Sequence, residues 1–222
     1  LTISGGGIDV GQYDITIVGL NNENYVLESY DSITYTIIPA EYDMSNVKFE
    51  NAELVYNGQM QRPSIDVNKL PEGVSVSYSD GATNVSDGTV TVTATFTSSD
   101  SNYNNPKPMR ATVKILQKEV TVIWEEKSFV YDGQKHSLQA SLDGIIGSDS
   151  CTATISGYGI DAGIHECKVE LLSNPNYYAN STKEFEITKA DYDMSSITFT
   201  DQVFTYNGKL QQKMNDINLG QQ

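Results

Sequence analysis

One short motif recurs at a fixed spacing, and it restricts what this chain can fold into more than any other feature. The tripeptide Tyr-Asn/Asp-Gly occurs three times, and both intervals between successive occurrences are equal, a period of about 75 residues. The turns that define the repeat are Tyr56, Asn57 and Gly58; Tyr131, Asp132 and Gly133; and Tyr206, Asn207 and Gly208. Repetition at one period indicates that each period is a structural unit that packs against its neighbours.

A second set of residues keeps the same register. The tetrapeptide Tyr-Asp-Met-Ser at 42–45 returns at 192–195, two periods later. Aromatic side chains stand at one equivalent position in each repeat, Phe49, Trp124 and Phe199. We therefore predict a core aromatic there. This is favoured over the alternative that the single Trp stacks on a carbohydrate.

The repeat divides the chain into four parts. Residues 1–40 are the back part of a repeat, residues 41–118 and 119–190 are complete repeats, and residues 191–222 are the front part of a repeat. The junctions are short, and neither is a flexible Gly/Ser linker. We expect neighbouring repeats to be closely coupled and to form a semi-rigid rod.

The pattern within residues 41–118 is that of short strands. Val90, Val92, Ala94 and Phe96 alternate with threonines, which is typical of a strand with one buried face. Further strands are predicted at 46–50, 53–56, 64–67, 73–79 and 109–116, with turn residues between them. We predict an all-β fold of tandem small immunoglobulin-like β-sandwich repeats of about 75 residues. A β-grasp-like sheet is the alternative, less favoured because no covering helix is evident.

These features together resemble the MBG-type and YDG-type tandem repeats of bacterial cell-surface proteins. The resemblance rests on the three Tyr-Asn/Asp-Gly turns, on Leu-Pro-Glu-Gly-Val at 70–74, on Asn102-Tyr103 and on the junction at 189–195. It implies an extracellular bacterial setting and a spacer or adhesion role without catalytic residues. The second complete repeat departs from it, because it lacks the Leu-Pro-Glu-Gly stretch. We expect targeting and anchoring segments to lie outside this sequence.

Charge and composition exclude several classes of partner. The chain carries 14 basic and 29 acidic residues, a net charge of −15. Nucleic acid and anionic membrane surfaces both need basic patches, so neither is expected as a partner. No apolar run reaches the length of a membrane-spanning segment, so membrane insertion is not expected. His136 and His165 are isolated, and no metal-ligand or nucleophile–base spacing is evident, so we predict no cofactor, no metal and no enzymatic activity.

The two cysteines fall on positions that are apolar in the preceding repeat. Cys151 and Cys167 correspond to Val76 and Val92, which belong to the inward faces of neighbouring predicted strands. A disulfide between them is geometrically plausible and would suit a secreted protein. Two buried thiols that act as small apolar residues are the equal alternative.

The leading prediction for function is a non-catalytic stalk or scaffold of tandem β-domains whose repeats contact one another within the chain. One alternative is an adhesion module that binds host glycan or protein through loop residues such as Tyr158 and Tyr178. Another is a filament subunit, because the partial repeats at 1–40 and 191–222 together amount to nearly one whole repeat. Its copies would associate head to tail by complementation of the terminal half-repeats.

Overall fold

A computed structural model describes residues 1–28, 32–195 and 203–211. The first sheet has three antiparallel strands in the order β1-β2-β3: Thr2–Gly5, Gly11–Gly19 and Ile33–Ile37. Alternation of apolar and polar side chains along β2 explains why one face of this strand is half-buried while the other is mostly exposed.

The second sheet belongs to the first complete repeat. Its strands are β4 (Ala52–Val55), β5 (Val74–Tyr78), β6 (Thr89–Ser98) and β7 (Met109–Leu116). They lie in the order β4-β7-β6-β5, with β4 parallel to β7 and the other pairs antiparallel. Two short 3-10 helices, Val67–Lys69 and Val85–Asp87, occupy the connections before β5 and before β6.

The inner face of this sheet is covered by extended chain. Ala94 and Phe96 of β6 are buried in one cluster with Val47 and Ile65. Complete burial of a side chain such as Phe96 stabilises the fold by about 1.5–3 kcal/mol. The predictions of strands at 46–50 and 64–67 are wrong, because these segments bury alternate side chains against the sheet but form no backbone ladder with a neighbour. They make the opposite layer of the sandwich.

The remaining strands follow residue 117. They are β8 (Lys118–Glu119), β9 (Thr121–Trp124), β10 (Phe129–Val130), β11 (Ala140–Asp143), β12 (Ala153–Ser156), β13 (Gly163–Leu172), β14 (Tyr177–Tyr178) and β15 (Thr182–Thr188). A four-stranded sheet has the order β10-β15-β13-β12, and two-stranded sheets join β11 to β9 and β14 to β8.

Both four-stranded sheets have the same connectivity. Numbered along the chain, the strands of each sheet lie in the order first, fourth, third, second, with the first strand parallel to the fourth. The prediction of an all-β chain built of several small sheets is confirmed. Equivalent segments of the repeat form equivalent strands, since the same alternation of apolar and polar residues recurs in them.

Two compact units are present. The first comprises Leu1–Ile123, Ala140–Thr154 and Val169–Ser181. The second comprises Trp124–Gln139, Ile155–Lys168 and the described residues from Thr182 onward. The first unit therefore contains one complete sequence repeat together with parts of the repeats before and after it, so two of the junctions between repeats lie within it.

Candidate functional site

A polar contact recurs at both junctions of the first compact unit, and we call it the Asn joint. At the first junction, the Asn102 side chain reaches the turn between β1 and β2. Its Oδ1 accepts the N–H of Val10 at 2.7 Å, and its Nδ2 donates to the Asp9 carboxylate at 3.0 Å. The N–H of Ala40, which lies in the linking segment, donates to the backbone carbonyl of Asn102 at 2.8 Å.

The second junction repeats this contact with Asn176. Its Oδ1 accepts the N–H of Val85 at 2.9 Å, and its Nδ2 donates to Asn84 Oδ1 at 2.9 Å. The N–H of Lys118 donates to the carbonyl of Asn176 at 2.9 Å. Asn176 is buried, with 7% of its surface exposed, so each hydrogen bond compensates for lost hydration of the amide. The Asn joint thus ties a turn, a linker and the following repeat together.

Local sequence holds both asparagines in position. The N–H of Asn102 donates to Asp100 Oδ1 at 2.8 Å, and the N–H of Asn176 donates to Asn174 Oδ1 at 3.0 Å. These are Asx turns, in which a short polar side chain accepts from the backbone two residues further on. The Asn joint is therefore preorganised before the two repeats meet.

A tyrosine follows each asparagine and packs into the same junction. Tyr103 stacks on Tyr42, with ring centroids 4.3 Å apart and planes at 22°. Tyr177 is 1% exposed and meets Tyr56 edge to face, with centroids 5.4 Å apart. Aromatic pairs of these geometries stabilise a contact by about 0.5–1.5 kcal/mol beyond the area that they bury.

Asp149 connects the two tyrosines of the second junction. Tyr56 donates its hydroxyl hydrogen to Asp149 Oδ2 at 2.7 Å, and Tyr177 donates to the same oxygen at 2.6 Å. The N–H of Ile146 donates to the hydroxyl of Tyr177 at 3.0 Å. Each group thus has a partner, and the carboxylate accepts hydrogen bonds from both sides of the junction.

These hydrogen bonds change the protonation equilibria of the groups involved. Bonds from Tyr177 and then Tyr56 lower the pKa of Asp149, because they stabilise its charged form. Burial, together with the bond to Asp149, raises the pKa of Tyr177 to about 12. The bond to Asp149 likewise raises the pKa of Tyr56. At neutral pH the network holds one carboxylate and two neutral phenols.

An apolar cluster surrounds the network. Tyr56, Val92 and Ile115 from the first complete repeat are buried together with Val120 and Tyr177 from the second. Because side chains of both repeats share one cluster, water is excluded from the junction. The arrangement is suited to holding the repeats rigidly, and it presents no activated nucleophile.

The repeat-defining turns share one backbone conformation. The side chains of Asn57, Asp132 and Asn207 each accept the N–H two residues further on, at 2.9, 2.9 and 3.0 Å. Gly58, Gly133 and Gly208 have φ of 76°, 75° and 65°, the left-handed region that glycine adopts without steric cost. The preceding tyrosines differ greatly: Tyr56 is 6% exposed, Tyr131 is 42% and Tyr206 is 92%.

Both cysteines are free thiols in the structure. Cys167 is completely buried on β13 with Leu138, Phe185 and Ile187, and its Sγ accepts the N–H of Leu138 at 3.3 Å. Cys151 lies before β12, is half-buried and packs against the cluster around Tyr177. The two thiols thus belong to different apolar clusters, and whether they oxidise to a disulfide stays a prediction.

The equivalent aromatic residues are only partly buried. Trp124 packs against the cluster around Cys167, and Phe49 packs against the clusters on both sides of it. The Phe49 ring lies 5.8 Å from that of Tyr78. Phe199 lies outside the described residues.

The histidines and the loop tyrosines have local partners. His136 Nε2 lies 2.8 Å from Asp132 Oδ1, and His165 Nε2 donates to the carbonyl of Asp161 at 2.7 Å. The Lys135 ammonium lies 4.3 Å from the ring centroid of Tyr158, which is 54% exposed. Tyr178 is also exposed, and its hydrogen bond with Glu119 raises its pKa. Over residues 1–28, 32–195 and 203–211, His, Cys, Asp and Glu do not come together in a group able to hold a metal ion.

The Asn joint itself was missed by reasoning from the sequence. Its signal was present, because Asn102-Tyr103 and Asn176-Tyr177 stand in similar positions of successive repeats. Alignment at the period of the Tyr-Asn/Asp-Gly turns hides this match, since the second pair falls one position short of that period. The partners Asp9 and Asn84 differ in type, and only the folded chain brings them to the asparagines.

Comparisons with known proteins add little to this geometry. No protein-family model matches the chain, and no curated protein does. Among solved structures, the fibronectin(III)-like modules of Clostridium thermocellum CbhA are similar to it at 14% sequence identity, over 71% of this chain and 100% of that chain, with a TM-score of 0.23. In the part of the chain that the structure describes, no helix has the length and apolar character needed to cross a membrane.

Proposed function

We propose that the chain is a structural segment, a stalk or scaffold of tandem β-domains in a bacterial cell-surface protein. The observation that carries the proposal is the Asn joint, which is built twice from the same hydrogen bonds. A spacer must resist bending where its modules meet. Side-chain hydrogen bonds, a backbone bridge and packed tyrosines at each junction supply that resistance, since all three must break together for the junction to bend.

The resemblance to MBG-type and YDG-type repeats supports the setting that we propose. Residues of that pattern take part in the joint, because Asn102-Tyr103 provides the asparagine and the stacked ring at the first junction. The net charge of −15 suits a protein that must stay soluble and resist self-adhesion outside a cell. We propose an extracellular location on this basis. Surface labelling of intact producing cells with an antibody against this chain tests it, and labelling only after lysis would contradict it.

A non-catalytic role is part of the proposal. Each histidine is engaged by a local partner, His136 by Asp132 and His165 by the carbonyl of Asp161. The most strongly perturbed phenol, Tyr177, has its pKa raised, so it is less readily ionised to a nucleophile than an ordinary tyrosine. These groups stabilise structure at the positions where they lie.

Amide hydrogen exchange tests the stiffness of the joint. Val85, Lys118 and Val120 donate backbone hydrogen bonds at the second junction. If the junction is as rigid as a core, these amides should exchange within about tenfold of those of β6. Exchange faster by several orders of magnitude would mean that the repeats separate readily, and the spacer proposal would then fail.

An adhesion module is the second candidate, favoured by two exposed tyrosines. Tyr158 and Tyr178 present aromatic surface that could stack on a sugar or pack against a host protein. A glycan and mucin array separates the two functions. We expect no binding from a spacer, whereas binding that is lost in Tyr158→Ala or Tyr178→Ala would establish the adhesion role.

A further inference from the structure

The turn held by the first Asn joint has a second copy in the chain. The sequence Gly-Ile-Asp-Val-Gly at 7–11 returns as Gly-Ile-Asp-Ala-Gly at 159–163. The first copy connects β1 to β2, and the second connects β12 to β13. We call these the first and second GID turns. They occupy the same place in the repeat, before its long central strand.

The two GID turns also have the same local structure. Tyr13 donates its hydroxyl hydrogen to the carbonyl of Asp9 at 2.9 Å, and His165 Nε2 donates to the carbonyl of Asp161 at 2.7 Å. In both turns the ring lies against the first glycine. A Cβ added to Gly7 would lie 1.9 Å from the Tyr13 ring, and one added to Gly159 would lie 2.3 Å from the His165 ring.

The first GID turn is occupied and the second is open. Asn102 binds the Asp9 carboxylate and the Val10 N–H of the first turn. The equivalent groups of the second turn are the Asp161 carboxylate and the Ala162 N–H. Both residues are exposed, and within the described ranges neither group has a hydrogen-bond partner. The second turn therefore offers one acceptor and one donor in the arrangement that an asparagine amide binds.

An unused asparagine turn is present near the start of the chain. Asn24 donates its N–H to Asn22 Oδ1 at 3.0 Å, and Tyr25 donates its N–H to the Asn22 carbonyl at 3.3 Å. The same two bonds hold Asn102 and Tyr103, with Asp100 in place of Asn22, at 2.8 and 3.2 Å.

The side chains of this turn are available for contact. Asn24 is exposed and Tyr25 is 70% exposed, whereas the equivalent asparagines and tyrosines at the two Asn joints are engaged. Leu1, Leu20 and Val26 line an open apolar groove beside Tyr25. The turn thus presents the inserting side of an Asn joint.

A receiving tyrosine is also present beyond the second GID turn. Tyr42, which stacks on Tyr103, begins the Tyr-Asp-Met-Ser segment, and its equivalent Tyr192 is 55% exposed. The segment has the same local hydrogen bond in both places. The N–H of Ser45 donates to Asp43 Oδ1 at 2.9 Å, and the N–H of Ser195 donates to Asp193 Oδ1 at 2.8 Å.

We propose that the Asn22–Tyr25 turn of one copy of this chain docks onto the second GID turn of another copy. Asn24 accepts the N–H of Ala162 and donates to the Asp161 carboxylate, and Tyr25 stacks on Tyr192. The contact reproduces between chains the joint that occurs twice within the chain. Because the two surfaces differ, the association is head to tail and can extend into an open string of molecules.

Two complementary double variants test the proposal on the whole chain. Asn24→Ala/Tyr25→Ala removes the inserting side and leaves the receiving side intact. Asp161→Ala/Tyr192→Ala does the reverse. Glu23→Ala is the matched control, because it also removes a negative charge and lies on the exposed surface of the same turn. Masses are measured by sedimentation velocity and light scattering up to about 1 mM, which detects even weak association.

We expect the unaltered chain and the control to grow beyond the 24.4 kDa monomer as concentration rises. Each double variant alone should associate at least about tenfold more weakly, and an equimolar mixture of the two should stop at the dimer. Formation of that dimer also shows that each variant is folded. Added salt should strengthen association, because each copy carries a net charge of −15.

Two results overturn the proposal. One is a monomeric mass for the unaltered chain at every concentration and salt level. The other is association of either double variant as strong as that of the Glu23→Ala control. Neither result bears on the spacer role, which depends on the joints within one chain.

Discussion

Replacement of Tyr177 by phenylalanine removes one hydroxyl from the second junction and keeps the buried ring. That hydroxyl donates to Asp149 at 2.6 Å and accepts the N–H of Ile146 at 3.0 Å. Loss of a hydrogen bond to a charged group costs about 1.5–3 kcal/mol, and the half-buried N–H also loses its partner. We expect the free energy of unfolding to fall by about 2–3 kcal/mol.

Urea unfolding followed by circular dichroism measures this change. With a slope of about 1–3 kcal/mol per molar urea, the midpoint should fall by about 1 M while the slope stays the same. Tyr131→Phe is the matched control, because Tyr131 occupies the repeat position of Tyr56 and is 42% exposed. The control should change stability by no more than about 0.5 kcal/mol. Equal midpoints for Tyr177→Phe and the control would refute the role that we assign to the junction network.

The same variant has a distinct pH dependence. The pKa of Tyr177 is raised to about 12 in the folded state, so its contribution is complete below about pH 10 and is lost as the pH rises through about 12. The pKa of Asp149 is lowered, so its contribution is present above about pH 4 and is lost as the pH falls through its folded pKa. Tyr177→Phe should therefore be destabilised most between these limits. A stability difference that does not shrink above about pH 10 would contradict this linkage.

The packing leads to three further predictions. Asn176→Ala removes the bonds to Val85 and Asn84 and should cost about 2–3 kcal/mol by urea unfolding, whereas Asn180→Ala, at an exposed site, should be neutral. Phe96→Ala should cost about 3–5 kcal/mol in the same assay, because Phe96 is 2% exposed. The free thiols of Cys151 and Cys167 should leave the intact mass unchanged by reductant, and a gain of two hydrogens would show a disulfide instead.

Local sequence was sufficient to predict the strands that alternate strictly. In β6, Val92, Ala94 and Phe96 are buried while Thr91, Thr95 and Thr97 are exposed, as a period of two requires. The segments at 46–50 and 64–67 show why alternation alone is insufficient. A strand also needs a neighbouring backbone at hydrogen-bonding distance, and which backbone comes near depends on residues far away in the sequence.

The Asn joint depends still more on distant residues. Asn102 and its partner Asp9 are 93 positions apart, and Asn176 and Asn84 are 92 apart. No local pattern encodes such a pair. The Asx turn that aims each asparagine is local and could be predicted, but its target could not.

The repeated Tyr-Asn/Asp-Gly motif separates what the sequence determines from what the tertiary structure decides. Asn57, Asp132 and Asn207 each close the same turn, because a side-chain acceptor and a following glycine act within a few residues. The tyrosines before them range from 6% to 92% exposed. Burial requires a covering surface, and Tyr56 has one because Tyr177 and Asp149 of the next repeat lie against it.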